Sequence, residues 1–116
     1  MLISLRPDGG EPVYDQLARG IAVQIADGTL APGERLPAAR DLAEVLGIHM
    51  HTVLHAYQRL RDEGLLELRR GRGAVVRGSA AAARIHDAVG SLVAEAKAAD
   101  VPLHTLSALI RKDYDA

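Results

Sequence analysis

With 116 residues the chain has room for one domain, or one small domain with an appendage, and not for two large ones. An apolar share of 48% can build a core, but Phe and Trp are absent and Tyr occurs three times, so that core consists mostly of Leu, Val, Ile and Ala, which suits helices. The lack of Cys excludes a disulfide framework, a thiolate metal site and a thiol nucleophile.

The opening MLISLRPDGG holds no basic stretch followed by an apolar one, and no run of about 18 apolar residues occurs, so a soluble, cytoplasmic protein with no membrane span is expected. A net charge of −1 says nothing for a nucleic-acid partner, but its distribution does. From Arg69 to Arg77 lie Arg69, Arg70, Arg72 and Arg77 without one acidic residue, a local electrostatic footprint suited to phosphates in an otherwise neutral chain.

Taken in chain order, Pro12 to Asp27 reads as a helix stopped by Gly28, with Val13, Leu17, Ile21 and Ile25 on one face. TLAPGERLP (29–37) reads as a structured loop plugged by Leu30 and Leu36. A short helix from Ala38 to Leu46 turns Leu42, Ala43 and Leu46 inward and ends at Gly47. Three residues later Thr52 caps or opens another helix, with Val53, Ala56, Tyr57 and Leu60 as its apolar stripe and Gly64 as its stop. Two helices joined by a tight turn through Gly47 and Ile48 have the pattern of a helix-turn-helix.

LLELRRGRGAVVRG (65–78) reads as a hairpin with strands at Leu65–Leu68 and Ala74–Arg77 and a Gly- and Arg-rich tip. Three helices and a hairpin make a winged helix, so the expected fold class is mainly α with a small β-hairpin. After a small-residue junction at Ser79–Ala83, Ile85, Val89, Leu92 and Ala96 form a narrow helical seam, and a last helix from Leu103 to Lys112 carries Leu106, Leu109 and Ile110. Two such helices cannot bury their stripes unaided, and an identical chain is the simplest partner. The expected division is therefore residues 1–78 as the winged helix and 79–116 as a two-helix dimerisation tail.

Tyr14 and Gln16, GTLAPGERLP (28–37), Arg40, Leu42-Ala43, Leu46-Gly47-Ile48, Thr52-Val53, Ala56-Tyr57, Leu60, Glu63-Gly64-Leu65 and Gly71-Arg72-Gly73 stand at fixed spacing, and over residues 12–77 the sequence resembles the GntR family of bacterial transcription regulators. The short tail is similar to that of its YtrA-type branch. The resemblance implies a winged helix-turn-helix DNA-binding domain with a helical dimerisation tail. It also implies a homodimer on palindromic double-stranded operator DNA, most often as a repressor, with no cofactor.

The residues assigned to DNA are Arg40, His49, His51, Thr52, His55, Arg59, Arg70, Gly71 and Arg72. Arg40 opens the second helix, where its guanidinium can fork onto guanine or phosphate, or else pair with Glu44. Thr52 stands at a positive helix end suited to a phosphate. Gly71 allows positive φ at the wing tip between two arginines that reach phosphates or the minor groove. The segment HMHTV (49–53) departs from the family's usual Ser-Arg-Asn-Thr-Val, and with Met50 in place of Arg the operator should differ from those of typical members.

Tyr57 is read as core. His49, His51 and His55 leave a metal-responsive regulator as the first alternative, since His51 and His55 share a helical face. A winged helix that binds protein is the second. No nucleophile elbow, phosphate loop or paired carboxylates suggest an enzyme, and no residues mark a pocket for a small-molecule effector.

Overall fold

Pro12 and Gly28 bracket the first helix as their chemistry dictates. Helix α1 covers Val13–Ala26, Pro12 (φ −54°) supplies its carbonyl to the amides of Asp15 and Gln16, and Gly28 leaves the helix at φ +84°. The computed structural model describes residues 1, 3–6, 10–71, 73–78 and 80–116, the side chains of 80–82 excepted. It divides into two compact units, 1–83 and 84–116.

In the first unit α2 spans Ala39–Leu46 and α3 spans Met50–Asp62. Gly47 (φ +68°) ends α2, its own amide bonded to Glu44 and that of Ile48 to Ala43. These are the two bonds that satisfy the last carbonyls of a helix when a left-handed residue follows it. The same closure recurs at Gly64, where the Leu65 amide bonds to the Leu60 carbonyl at 2.9 Å. That bond makes Leu65 part of the α3 terminus, so strand β1 begins one residue later than expected, at Leu66–Arg69. Strand β2 is Gly73–Val76, antiparallel to β1 with Glu67 opposite Val75.

The loop before α2 does more than plug the core. Arg35 bridges antiparallel to Val75, the Leu36 amide bonds to Ala74 and the Val76 amide to Glu34, so the loop pairs along the free edge of β2 through an isolated bridge. Gly78 secures this edge: a Cβ there would lie 2.1 Å from Pro32 Cγ.

Leu17 and Ile21 of α1, Val53 and Leu60 of α3, Leu66 of β1 and Leu30 of the loop are fully buried. Each Leu or Ile so buried contributes about 1.5–3 kcal/mol. The N-terminal segment lies on this core through Ile3 and Leu5. Gln16 holds it there by accepting from the Arg6 amide at 2.7 Å and donating to the Arg6 carbonyl at 2.9 Å.

The second unit contains most of α4 (Ala80–Ala98) and all of α5 (Leu103–Tyr114). The stretch expected as a junction is helical from Ala80, in keeping with alanine's helix propensity. Asp100 (φ +58°) turns the chain between the helices, with the Val101 amide bonded to Ala96. Ala96 and Leu106 are buried within this unit, whereas Ile85, Val89, Leu92, Leu109 and Ile110 remain exposed. Of the seven residues assigned to the dimer seam, five are thus open to a partner and two are already packed. Among the described residues no helix is long and apolar enough to cross a membrane.

Candidate nucleic-acid interface

Residues 100° apart on a helix separate α3 into two faces. Val53, Ala56, Tyr57 and Leu60 are buried, which leaves His51, His55, Gln58 and Asp62 along the opposite, exposed side. This is the side an inserted recognition helix offers to a groove. Sequence patterning does not single out Gln58, yet its amide stands one turn beyond His55 and has the donor and acceptor that suit adenine.

The helix opens differently from the sequence expectation. His49, not Thr52, caps α3, because its Nδ1 accepts from the His51 amide at 3.1 Å. The His49 and His51 rings stack with centroids 5.0 Å apart. Thr52 lies in the first turn, half-buried, with its amide bonded to the His49 carbonyl. Met50 packs partly against the core, so the position where the family resemblance places an arginine is here an apolar contact.

His55 stacks on Tyr14 of α1 at 4.2 Å with the ring planes 7° apart. Arg59 is engaged on the same flank: it bonds to Asp15, lies 3.8 Å from Glu63 and stands over the Tyr14 ring. It thus ties α3 to α1 in this structure, while Arg40 and Arg70 are exposed and make no ion pair among the described residues. For Arg40 this includes the pairing with Glu44 weighed above. Tyr14 and Asp15 are parts of the site that sequence patterning does not reveal, since only tertiary packing brings residue 14 to residue 55.

Tyr57 is buried and donates its phenolic hydrogen to the Pro37 carbonyl at 2.7 Å, so the recognition helix sets the entrance to α2, two residues before Arg40's own helix begins. Burial pushes its pKa up to about 12. At the wing, Gly71 takes φ +80°, the conformation its position required, and Arg70 beside it is exposed. Arg72 lies outside the described residues. Glu67 pairs with Arg69 at 3.0 Å, and the hydrogen bond from Arg69, with the charge of Arg77, holds its carboxyl below the usual range. Among the described residues no group of three His, Asp or Glu is disposed to hold a metal ion.

A helix-turn-helix followed by a two-strand wing, with an exposed face on α3 and with Arg40 and Arg70 free of ion pairs among the described residues, defines the winged-helix class. Within that class, the family described as bacterial regulatory proteins, gntR family, matches residues 13–76, and the chain belongs to it. Among its relatives is the HTH-type transcriptional repressor YtrA of Bacillus subtilis, 33% identical over 75 residues, which cover 65% of this chain and 58% of that one. A Mycobacterium tuberculosis regulator, Rv0494, is 42% identical over 72 residues, covering 62% of this chain and 30% of its own length. The chain therefore spans less than two thirds of these relatives. Among solved structures, YtrA from Sulfolobus acidocaldarius, a GntR-family transcription factor, superposes with a TM-score of 0.64 at 34% identity, over 81% of this chain and 99% of that one. The DNA-binding domain of AraR, solved in complex with operator ORX1, does so with a TM-score of 0.58 at 26% identity, over 66% and 98%.

Proposed function

We propose that the chain is a transcription regulator, most simply a repressor, which binds palindromic double-stranded operator DNA as a homodimer and catalyses no reaction. The observation that carries this reading is the exposed set Arg40, His51, His55, Gln58 and Arg70, displayed by the three elements of a gntR-family winged helix. The operator complex of the similar AraR domain and the repressor name of the Bacillus subtilis relative support it. In this reading α3 enters the major groove, Arg40 and Thr52 hold phosphate or guanine, and Arg70 and Gly71 follow the backbone beside the wing.

The five exposed apolar residues Ile85, Val89, Leu92, Leu109 and Ile110 supply the dimer contact. Two-fold pairing sets the recognition helices about 34 Å apart, one helical turn of DNA. A regulator of this kind works in the cytoplasm and requires no cofactor.

The test is fluorescence anisotropy with duplexes from the chain's own promoter region against scrambled duplexes, titrated over salt. Expected are a Kd of about 10⁻⁸–10⁻¹¹ M for one inverted repeat and a steep loss of affinity with salt. Arg40→Ala and Arg70→Ala should each weaken binding with the melting transition intact. Leu92→Glu with Leu109→Glu should give monomers that bind more weakly. Equal affinity for specific and scrambled duplexes would sink the reading.

A further inference from the structure

The outer face of the wing carries a second basic surface, apart from the recognition helix and the wing tip. Arg35, Val75 and Glu67 form one row across the bridged loop and the two strands, since Arg35 bridges to Val75 and Val75 is opposite Glu67. Side chains two residues apart on a strand share a face, which adds Arg69 beside Glu67, and Arg77, one residue past β2, borders the same hollow. Together they line a hollow of about 650 Å³ whose floor is Val75 and whose rim includes Gly33 and Gly78, residues with no side chain to obstruct it.

Three guanidinium groups against one carboxylate leave an excess of two positive charges in this hollow. They are not equivalent. Arg69 is held by Glu67 through a hydrogen bond from its Nη2 at 3.0 Å and an ion-pair contact of its Nε at 3.0 Å. Arg35 and Arg77 make no ion pair among the described residues. The planar forks of Arg35 and Arg77 thus line one depression, with a further fork held in place beside them. Such forks match the several oxygens of a phosphoryl group better than the point charge of a lysine would, and the charge excess equals that of a phosphoryl dianion.

We propose that this hollow is a phosphoryl-binding site in which Arg35 and Arg77 hold the anion and Glu67 moderates its affinity. The phosphoryl group comes either from the DNA backbone alongside the wing or from a free phosphorylated small molecule. The site itself does not depend on the function proposed above.

Pyrophosphate is the probe. Arginine Nε–H signals of the full chain are followed by NMR during a pyrophosphate titration, with ionic strength held constant by chloride. Expected are saturable shifts at Arg35 and Arg77, with Arg84 and Arg111 of the tail unmoved. Arg35→Gln with Arg77→Gln should abolish saturation, and Glu67→Gln should tighten binding about threefold or more by removing the opposing charge. Unsaturated shifts of equal size at Arg84 and Arg111 would overturn the site.

Duplex binding by the same double variant then identifies the source. For a backbone phosphate the slope of log affinity against log salt becomes shallower by about 0.9 for each phosphate the protein no longer neutralises. For a free phosphoryl ligand the slope is unchanged. Failure of the chain to bind any duplex would count against the proposed function and leave the pyrophosphate result standing.

Discussion

Tyr57 donates to the Pro37 carbonyl at 2.7 Å, a bond across 20 residues that joins the recognition helix to the entrance of α2. Tyr57→Phe keeps the ring and loses this bond, so it should lower unfolding stability by about 0.5–1.5 kcal/mol. Burial of the same hydroxyl makes stability depend on alkaline pH. Burial raises the folded-state pKa to about 12, above the ordinary tyrosine value near 10, so the folded chain holds this proton more tightly. The stabilisation is complete below pH ~10 and is lost as pH rises towards 12. Denaturant melts from pH 8 to 11.5 should show this loss, with a shallower one in Tyr57→Phe.

Gly78 and Pro32 make a closer contact than any other residue could at position 78. A Cβ would fall 2.1 Å from Pro32 Cγ and 2.8 Å from Cβ of a ring that cannot rotate away. Gly78→Ala should therefore destabilise the first unit by about 1–3 kcal/mol. Amide exchange is expected to quicken at Gly33, Leu36 and Val76, whose amides tie the 33–36 loop to β2. Faster exchange confined to residues 84–116 would contradict a clash at Pro32.

The helices were legible because their periods and their stops agree. Leu17, Ile21 and Ile25 repeat every four residues, and Gly28, Gly47 and Gly64 fall where left-handed backbone is needed. What patterning could not supply were pairings between distant segments. Arg35 in a loop gives no sign that it will bridge to Val75, and Tyr14 gives none that it will stack on His55. The cap of α3 departs from expectation for a different reason. Thr52 is a good cap by propensity, but the His49 imidazole reaches the His51 amide first and starts the helix three residues earlier. Arg59 shows the limit of reading charge from sequence, since a cation on a recognition helix serves DNA or a neighbouring helix according to what α1 places beside it.

Asp15 and Arg59 are expected to couple in stability. Both side chains are partly exposed, 31% and 40%, so solvent screening limits their pairing to about 0.2–1 kcal/mol. A double-mutant cycle with Asp15→Asn and Arg59→Gln reads that coupling directly. In duplex binding, Arg59→Gln should cost less than Arg40→Ala, whose guanidinium has no competing partner among the described residues. Bidentate base contacts are worth about 1–3 kcal/mol, so Arg40→Ala should weaken binding tenfold or so. A larger loss from Arg59→Gln would place Arg59 on the DNA and not on α1.

His51 and His55 occupy the exposed face of α3, and the HMHTV segment carries no fixed positive charge there. Imidazoles in general gain a proton as pH falls from 8 to 6, and each proton gained would add attraction to the phosphates flanking a groove. Operator affinity should accordingly be greater at pH 6 than at pH 8 at constant ionic strength. The difference should shrink in His51→Gln and again in His51→Gln with His55→Gln. Equal affinities at the two pH values would show that the imidazoles read the groove in one protonation state, or lie away from it.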